Sequence, residues 1–177
     1  SMSGDLVLID SVTLTGAVAS VDLGGADWDD SYDVYQVVCS DIEFDTDTRA
    51  ISFRHIDTSN NPITVSSYDV SFEVLKANTG FENAYGSSTH AYVTDLYIGN
   101  GTGECANTVI WLFNSNIAGD YTFHTVESVY LSPDPYTKGQ QGGGVLKQTS
   151  ATKGIHIFCT ASGNFDAGEF RLYGLRK

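Results

Sequence analysis

The sequence predicts an all-β fold, a sandwich of about eight to ten antiparallel strands, on three observations. Apolar residues recur with a period of two, the spacing that turns one side-chain face of a strand inward. Turn-forming glycines fall between the apolar runs, and no stretch sustains a helical period. The 177 residues suit one domain with a sizeable core. Ser1 and Met2, a serine ahead of a methionine, have the form of a cleaved expression tag, so residues 3–177 are taken as the domain.

The elements follow in order. After the apolar residues 6–9, Val12, Leu14, Gly16 and Val18 share one parity, which predicts an edge or outer strand. Residues 32–44 are dense in β-branched and aromatic side chains and predict a central strand. Residues 45–48 (Asp-Thr-Asp-Thr) supply turn chemistry before the apolar run 50–56, so these two runs are expected to pair as a hairpin that ends over residues 57–62. Residues 68–75 alternate and read as a strand, whereas the polar, glycine-bearing stretch 78–88 reads as a long loop. Further strands are expected at 91–98, 108–113, 121–131, 154–160 and 169–175, with glycines at 99–103, 119, 142–144, 163 and 168 marking the joints. No repeat of fixed length points to a propeller or solenoid.

Charge and composition narrow the function. With 22 acidic and 9 basic residues the net charge is −13, so a nucleic acid would meet repulsion, and no basic stripe overrides it. No apolar run approaches the roughly 18 residues of a membrane helix, and no secretion signal is evident, which points to a soluble protein made in a cytoplasm. Cys39, Cys105 and Cys159 are odd in number, widely spaced and set among apolar residues, the pattern of buried free thiols.

The catalytic inventory is empty, so the chain is expected to present surface rather than to run a reaction. His55, His90, His124 and His156 are isolated and lack metal-ligand spacing, and three of them lie inside strand runs. The Ser-Ser-Thr-His stretch 87–90 has no nucleophile elbow, and the glycines at 99–103 lack the Gly-Lys-Ser ending of a phosphate loop. Acids near aromatics leave room for a glycan depolymerase, whose two carboxylates would have to face each other across a cleft. No cofactor is called for, although Asp27, Asp29 and Asp30, or Asp45 and Asp47, could equally collect oxygen ligands for calcium. Ten tyrosines include several in or beside loops. Trp28, Tyr85, Tyr92, Tyr97 and Tyr136 are expected to be exposed and to serve a carbohydrate-binding surface, because such rings pack while a polar edge stays wet.

The C-terminal region carries a resemblance. Residues 154–158 (Gly-Ile-His-Ile-Phe) and 161–175 (Ala-Ser-Gly-Asn-Phe-Asp-Ala-Gly-Glu-Phe-Arg-Leu-Tyr-Gly-Leu) resemble the ending of many tailed-bacteriophage virion proteins. There an apolar strand, a Ser-Gly-Asn-like turn, a glycine and a last strand closing in Leu-Tyr-Gly occur together. The positions concerned are Gly163, Asn164, Gly168, Leu172, Tyr173 and Gly174. The shared parity of Ile155, Ile157 and Cys159, and of Phe170, Leu172 and Gly174, makes the last two runs a hairpin with residues 164–168 as its tip. Gly174 is expected to admit the close approach of another backbone. The resemblance implies a jelly-roll fold and a virion structural protein: a capsid decoration, head appendage or tail component. It further implies a homo-oligomer, expected as a trimer, that contacts other virion proteins and possesses a route to host-surface glycan. It brings no catalytic residues with it.

Overall fold

A computed structural model describes residues 5–26 and 28–177. Its strands are β1 (Leu6–Thr13), β2 (Ser20–Gly24), β3 (Tyr32–Phe44), β4 (Ala50–Asp57), β5 (Tyr68–Lys76) and β6 (Gly80–Ser88). They continue with β7 (Ala91–Tyr92), β8 (Ala106–Phe113), β9 (Thr122–Leu131), β10 (Thr137–Leu146), β11 (Thr152–Thr160) and β12 (Phe165–Arg176). No helix occurs among the described residues.

Two antiparallel sheets result: an eight-stranded one in the order β1-β12-β3-β8-β9-β10-β5-β6 and a four-stranded one in the order β2-β11-β4-β7. The connectivity becomes plain when β5, β6, β9 and β10 are set aside. The other eight, renumbered along the chain, pair as 1-8-3-6 and 2-7-4-5. That is the strand order of a jelly roll, two Greek keys closed on each other. The two hairpins β5–β6 and β9–β10 are additions that join each other through β10 and β5 and extend one sheet beyond β8. Among the described residues the strands number twelve, the two added hairpins carrying the sandwich past the expected eight to ten.

The core lies where the sheets face each other. Tyr35, Val37, Cys39 and Ile42 of β3, Ile110 and Leu112 of β8, and Phe170 and Leu172 of β12 are fully buried opposite Ile51 and Phe53 of β4 and Ile155 and Ile157 of β11. Each large side chain of this kind contributes about 1.5–3 kcal/mol on leaving water.

Several expected pairings are corrected. β3 and β4 are not a hairpin: they belong to opposite sheets, and residues 45–48 carry the chain across the gap. A hairpin would set both apolar faces side by side with nothing to cover them, whereas the crossover lets each cover the other. The crossing is clasped by Asp45, whose carboxylate accepts from Asn164 N at 3.0 Å and Asn164 Nδ2 at 2.7 Å. β11 and β12 likewise lie in different sheets, so residues 164–168 are not a hairpin tip; most of them already belong to β12. Ala161 and Ser162, with φ of 66° and 62°, make the turn between the sheets.

The run through Val12 and Val18 also divides, because β1 ends at Thr13 and the chain then enters β2 of the other sheet. The stretch 78–88 is not a long loop but contains β6, an edge strand paired with β5 along its whole length. The strand at 91–98 shrinks to β7, after which residues 93–98 run on as irregular chain. Gly142, Gly143 and Gly144 are no joint but lie within β10. A Cβ on Gly143 would stand 2.5 Å from His124 O, and one on Gly142 or Gly144 would collide with a carbonyl oxygen of β5. Here glycine answers close strand approach rather than a turn.

Candidate functional sites: an outer apolar sheet face and a polar cleft

The residues singled out from the sequence divide sharply in place. Asp27 lies outside the described residues. Asp29 and Asp30 sit before the start of β3 and Asp45 and Asp47 after its end, on the order of 40 Å apart along 13 residues of strand. Their groups serve local loops: Asp29 Oδ1 accepts from Ser31 N at 2.8 Å, Asp30 O from Lys177 Nζ at 2.6 Å, and Asp47 Oδ1 from Asn100 N at 2.9 Å. Among the described residues no three His, Cys, Asp or Glu side chains gather as a metal cluster. The bonds from Ser31 and from Asn164 hold the Asp29 and Asp45 carboxyls below their ordinary range.

Trp28 is not exposed. It is buried, stacked on Tyr35 with ring centroids 4.1 Å apart and planes within 4°. The loop that holds it folds back because Trp28 N donates to Gly25 O and Tyr35 Oη to Asp29 O. Tyr92 is half-buried against the edge of His90. Tyr85 stands 86% exposed on β6, and Tyr97 and Tyr136 are both open to solvent.

The terminal motif proves structural. Gly168, at φ 130°, meets Ile42 and the carbonyl of Asp41 at the bulge between β12 and β3. Gly163 clears Arg49 and Cys159, and Leu172 is core. Gly174 admits the ring of Tyr32 rather than another backbone, and Tyr173 points away from the core.

The histidines are likewise placed by packing. His55 and His124 are buried, and His156 Nδ1 lies 2.5 Å from Asp22 Oδ1. Ser88 Oγ and His90 Nδ1 are 3.3 Å apart, but His90 Nε2 is buried without a hydrogen-bond partner, so no acid orients the ring as a nucleophile's base. Cys39 and Cys159 are buried as expected, while Cys105 is half-buried.

Two features that the sequence reading missed remain. The first is the outer face of the large sheet. Register places Leu6, Leu175, Val34, Phe113, Phe123 and Val145 in one continuous row across β1, β12, β3, β8, β9 and β10, on the side turned away from the core. Trp111, Val109, Val38 and Val129 flank it. Phe123 is 47% and Val129 49% exposed. Side-chain-free Gly143 leaves a hollow between Phe113, Phe123 and Val145. A signal existed in the sequence: residues 32–44 and 106–113 carry apolar residues on both parities, one more face than a solvated strand needs.

The second feature is a polar cleft of about 380 Å3 built by the two added hairpins and the chain after β7. Lys76 and Glu82 come from β5 and β6, Asp95 and Tyr97 from residues 93–98, and Tyr136 and Lys138 from the β9–β10 hairpin. Lys138 is buried at the base, its Nζ 3.2 Å from Asp95 Oδ2 and 4.0 Å from the centroid of the Tyr97 ring. Lys76 pairs with Glu82, which lowers the Glu82 carboxyl's pKa.

Compared with protein-family models, curated proteins and solved structures, the chain matches nothing.

Proposed function

We propose that this chain is a non-enzymatic structural component of a bacteriophage virion, a capsid decoration, head appendage or tail part. In this reading it assembles with itself, as a trimer, and with other virion proteins through the outer face of the large sheet. The observation that supports this most is the apolar row from Leu6 to Val145. Isolated surface apolar residues are ordinary, but a contiguous patch running across six strands marks a protein–protein interaction site.

Charge supports the same reading. The chain carries −13 overall, yet the row from Leu6 to Val145 holds no charged side chain; on the outward positions of β12, β3, β8 and β9 away from it stand Glu127, the mutually paired Glu169 and Arg171, and, at the far end of β3, Asp41 and Glu43. Charge depletion at the centre of a patch is the composition of an interface core. The rest of the acidic surface would keep copies from clumping in other orientations. A depolymerase draws no such support, since a general acid needs a raised carboxyl pKa and Lys76 moves that of Glu82 the other way.

Light scattering of the purified chain tests the assembly. A trimer is expected, and Phe123→Glu with Val129→Glu should convert it to a monomer with an unchanged circular-dichroism spectrum, because both side chains stand outside the core. Wild-type protein that stays monomeric at about 100 µM, a concentration that would populate even a weak interface, argues against self-assembly. Mass spectrometry of particles from the source phage tests the virion assignment, and absence of the chain from them overturns it.

A further inference from the structure

We propose that the cleft between the added hairpins binds a neutral saccharide. The site is not a by-product of the jelly-roll strand order, since its walls come from β5, β6, β9, β10, the turn between β9 and β10 and residues 93–98, none of which belongs to the eight jelly-roll strands. Loops and insertions held on a rigid sandwich are where binding sites are commonly carried. A volume of about 380 Å3 sits at the lower end of the ~300–1,000 Å3 of small-ligand pockets.

The chemistry of the walls selects the ligand class. Glu82, Asp95 and Asp134 outnumber Lys76 and Lys138, and both ammonium groups are already paired with a carboxylate, so a phosphate or an acidic sugar would meet net negative charge. A divalent cation would meet two ammonium groups and, among the described residues, no cluster of ligands. An apolar ligand would strand the polar lining without partners.

A neutral polyol fits both halves of each ion pair, because every hydroxyl can donate to a carboxylate and accept from an ammonium. Its ring faces are apolar and suit exposed aromatic rings, which Tyr97 and Tyr136 supply at 45% and 44% exposure. The Tyr97 ring and the backbone at Tyr136 are held before any ligand arrives. Lys138 sits over the Tyr97 ring, Tyr97 N donates to Asp95 O at 2.9 Å, and Tyr136 O accepts from both Ser132 N and Ser132 Oγ at 3.1 Å. Such pre-ordering lowers the entropy lost on binding.

Saturation-transfer NMR on the full chain, with glucose, galactose, N-acetylglucosamine and glucuronic acid as separate probes, decides the matter. At least one neutral sugar should bind in the millimolar range, Tyr136→Ala and Tyr97→Ala should each weaken it at least tenfold, and Tyr85→Ala, outside the cleft, should leave it unchanged. Tyr97→Phe, which keeps the ring, should retain binding and guards against misfolding of the alanine variant. Silence from all three neutral sugars, preference for glucuronic acid, or binding that survives Tyr136→Ala overturns the proposal. The readout concerns the isolated chain in any assembly state, so its failure leaves the virion reading standing.

Discussion

Acidification should destabilise the folded chain through His55 and His124, buried at 1% and 4% exposure. Both rings stand edge-on to Phe53, with centroids 5.6 and 4.9 Å away, and neither His55 Nδ1 nor His124 Nε2 has a hydrogen-bond partner. Burial pushes His55 down to about 3, with repulsion from His124 added, and burial pushes His124 down to about 4. Both values lie below the 6.5 of an unfolded histidine, so between about pH 4 and 6.5 the unfolded chain binds protons that the folded chain refuses. Stability is then fully present above pH 6.5 and falls as the pH drops, until the folded groups themselves protonate near pH 3–4. Each proton contributes about 1.4 kcal/mol per pH unit. Two histidines over the interval from pH 7 to pH 5 thus remove about 4 kcal/mol, a large share of the 5–15 kcal/mol of an ordinary domain. Urea unfolding followed by tryptophan fluorescence at pH 7, 6 and 5 measures the slope. His124→Leu should flatten it by about 2 kcal/mol over that interval, one histidine's share, and the comparison cancels the pH dependence of the carboxylates and of His90. Equal slopes in the two proteins, or a folded-state NMR titration of either ring near pH 6.5, would refute the reasoning.

Three further outcomes follow from the packing. Gly142→Val should lower stability by about 1–3 kcal/mol, because a Cβ there collides with Ser71 O and Phe72; an unchanged thermal midpoint would show that β5 and β10 are not held so close. Gln140 is fully buried with neither amide atom bonded, so Gln140→Met should raise the urea midpoint by relieving about 1–3 kcal/mol of unmet hydrogen bonding; a lowered midpoint would mean that the amide has a partner. Burial raises all three thiols, Cys159 to about 11, and Cys105 is the least enclosed. A disulfide reagent should therefore modify Cys105 first in the native chain, and faster labelling of Cys39 or Cys159 would contradict the core placement.

The period of two in β3, β8, β9 and β12 was legible because side-chain alternation is a local property, readable from neighbouring residues alone. It identified the buried face, as with Phe170, Leu172 and Gly174, and the glycines at 119 and 163 as joints between strands. Exposure was less legible. Trp28 looked like a loop aromatic, and only Tyr35, seven residues away on β3, shows that the loop turns its ring into the core. Gly142 to Gly144 resembled a turn because a glycine run looks alike whether it bends or admits a neighbouring strand.

By itself, then, the sequence determined the all-β class, the strand-rich core and the acidic charge, but not every strand: β6 and β10 lie where it suggested a loop or a glycine joint. Which strands pair was a tertiary decision. Two successive runs such as β3 and β4, or β11 and β12, carry the same alternation whether they fold back as a hairpin or cross to opposite sheets. What separates the outcomes is which apolar faces can cover each other, a sum over contacts distant in sequence. The same sum set Tyr97 and Tyr136 beside Lys138 and, through the pairings of β1, β12, β3, β8, β9 and β10, drew six separate apolar residues into one outer row.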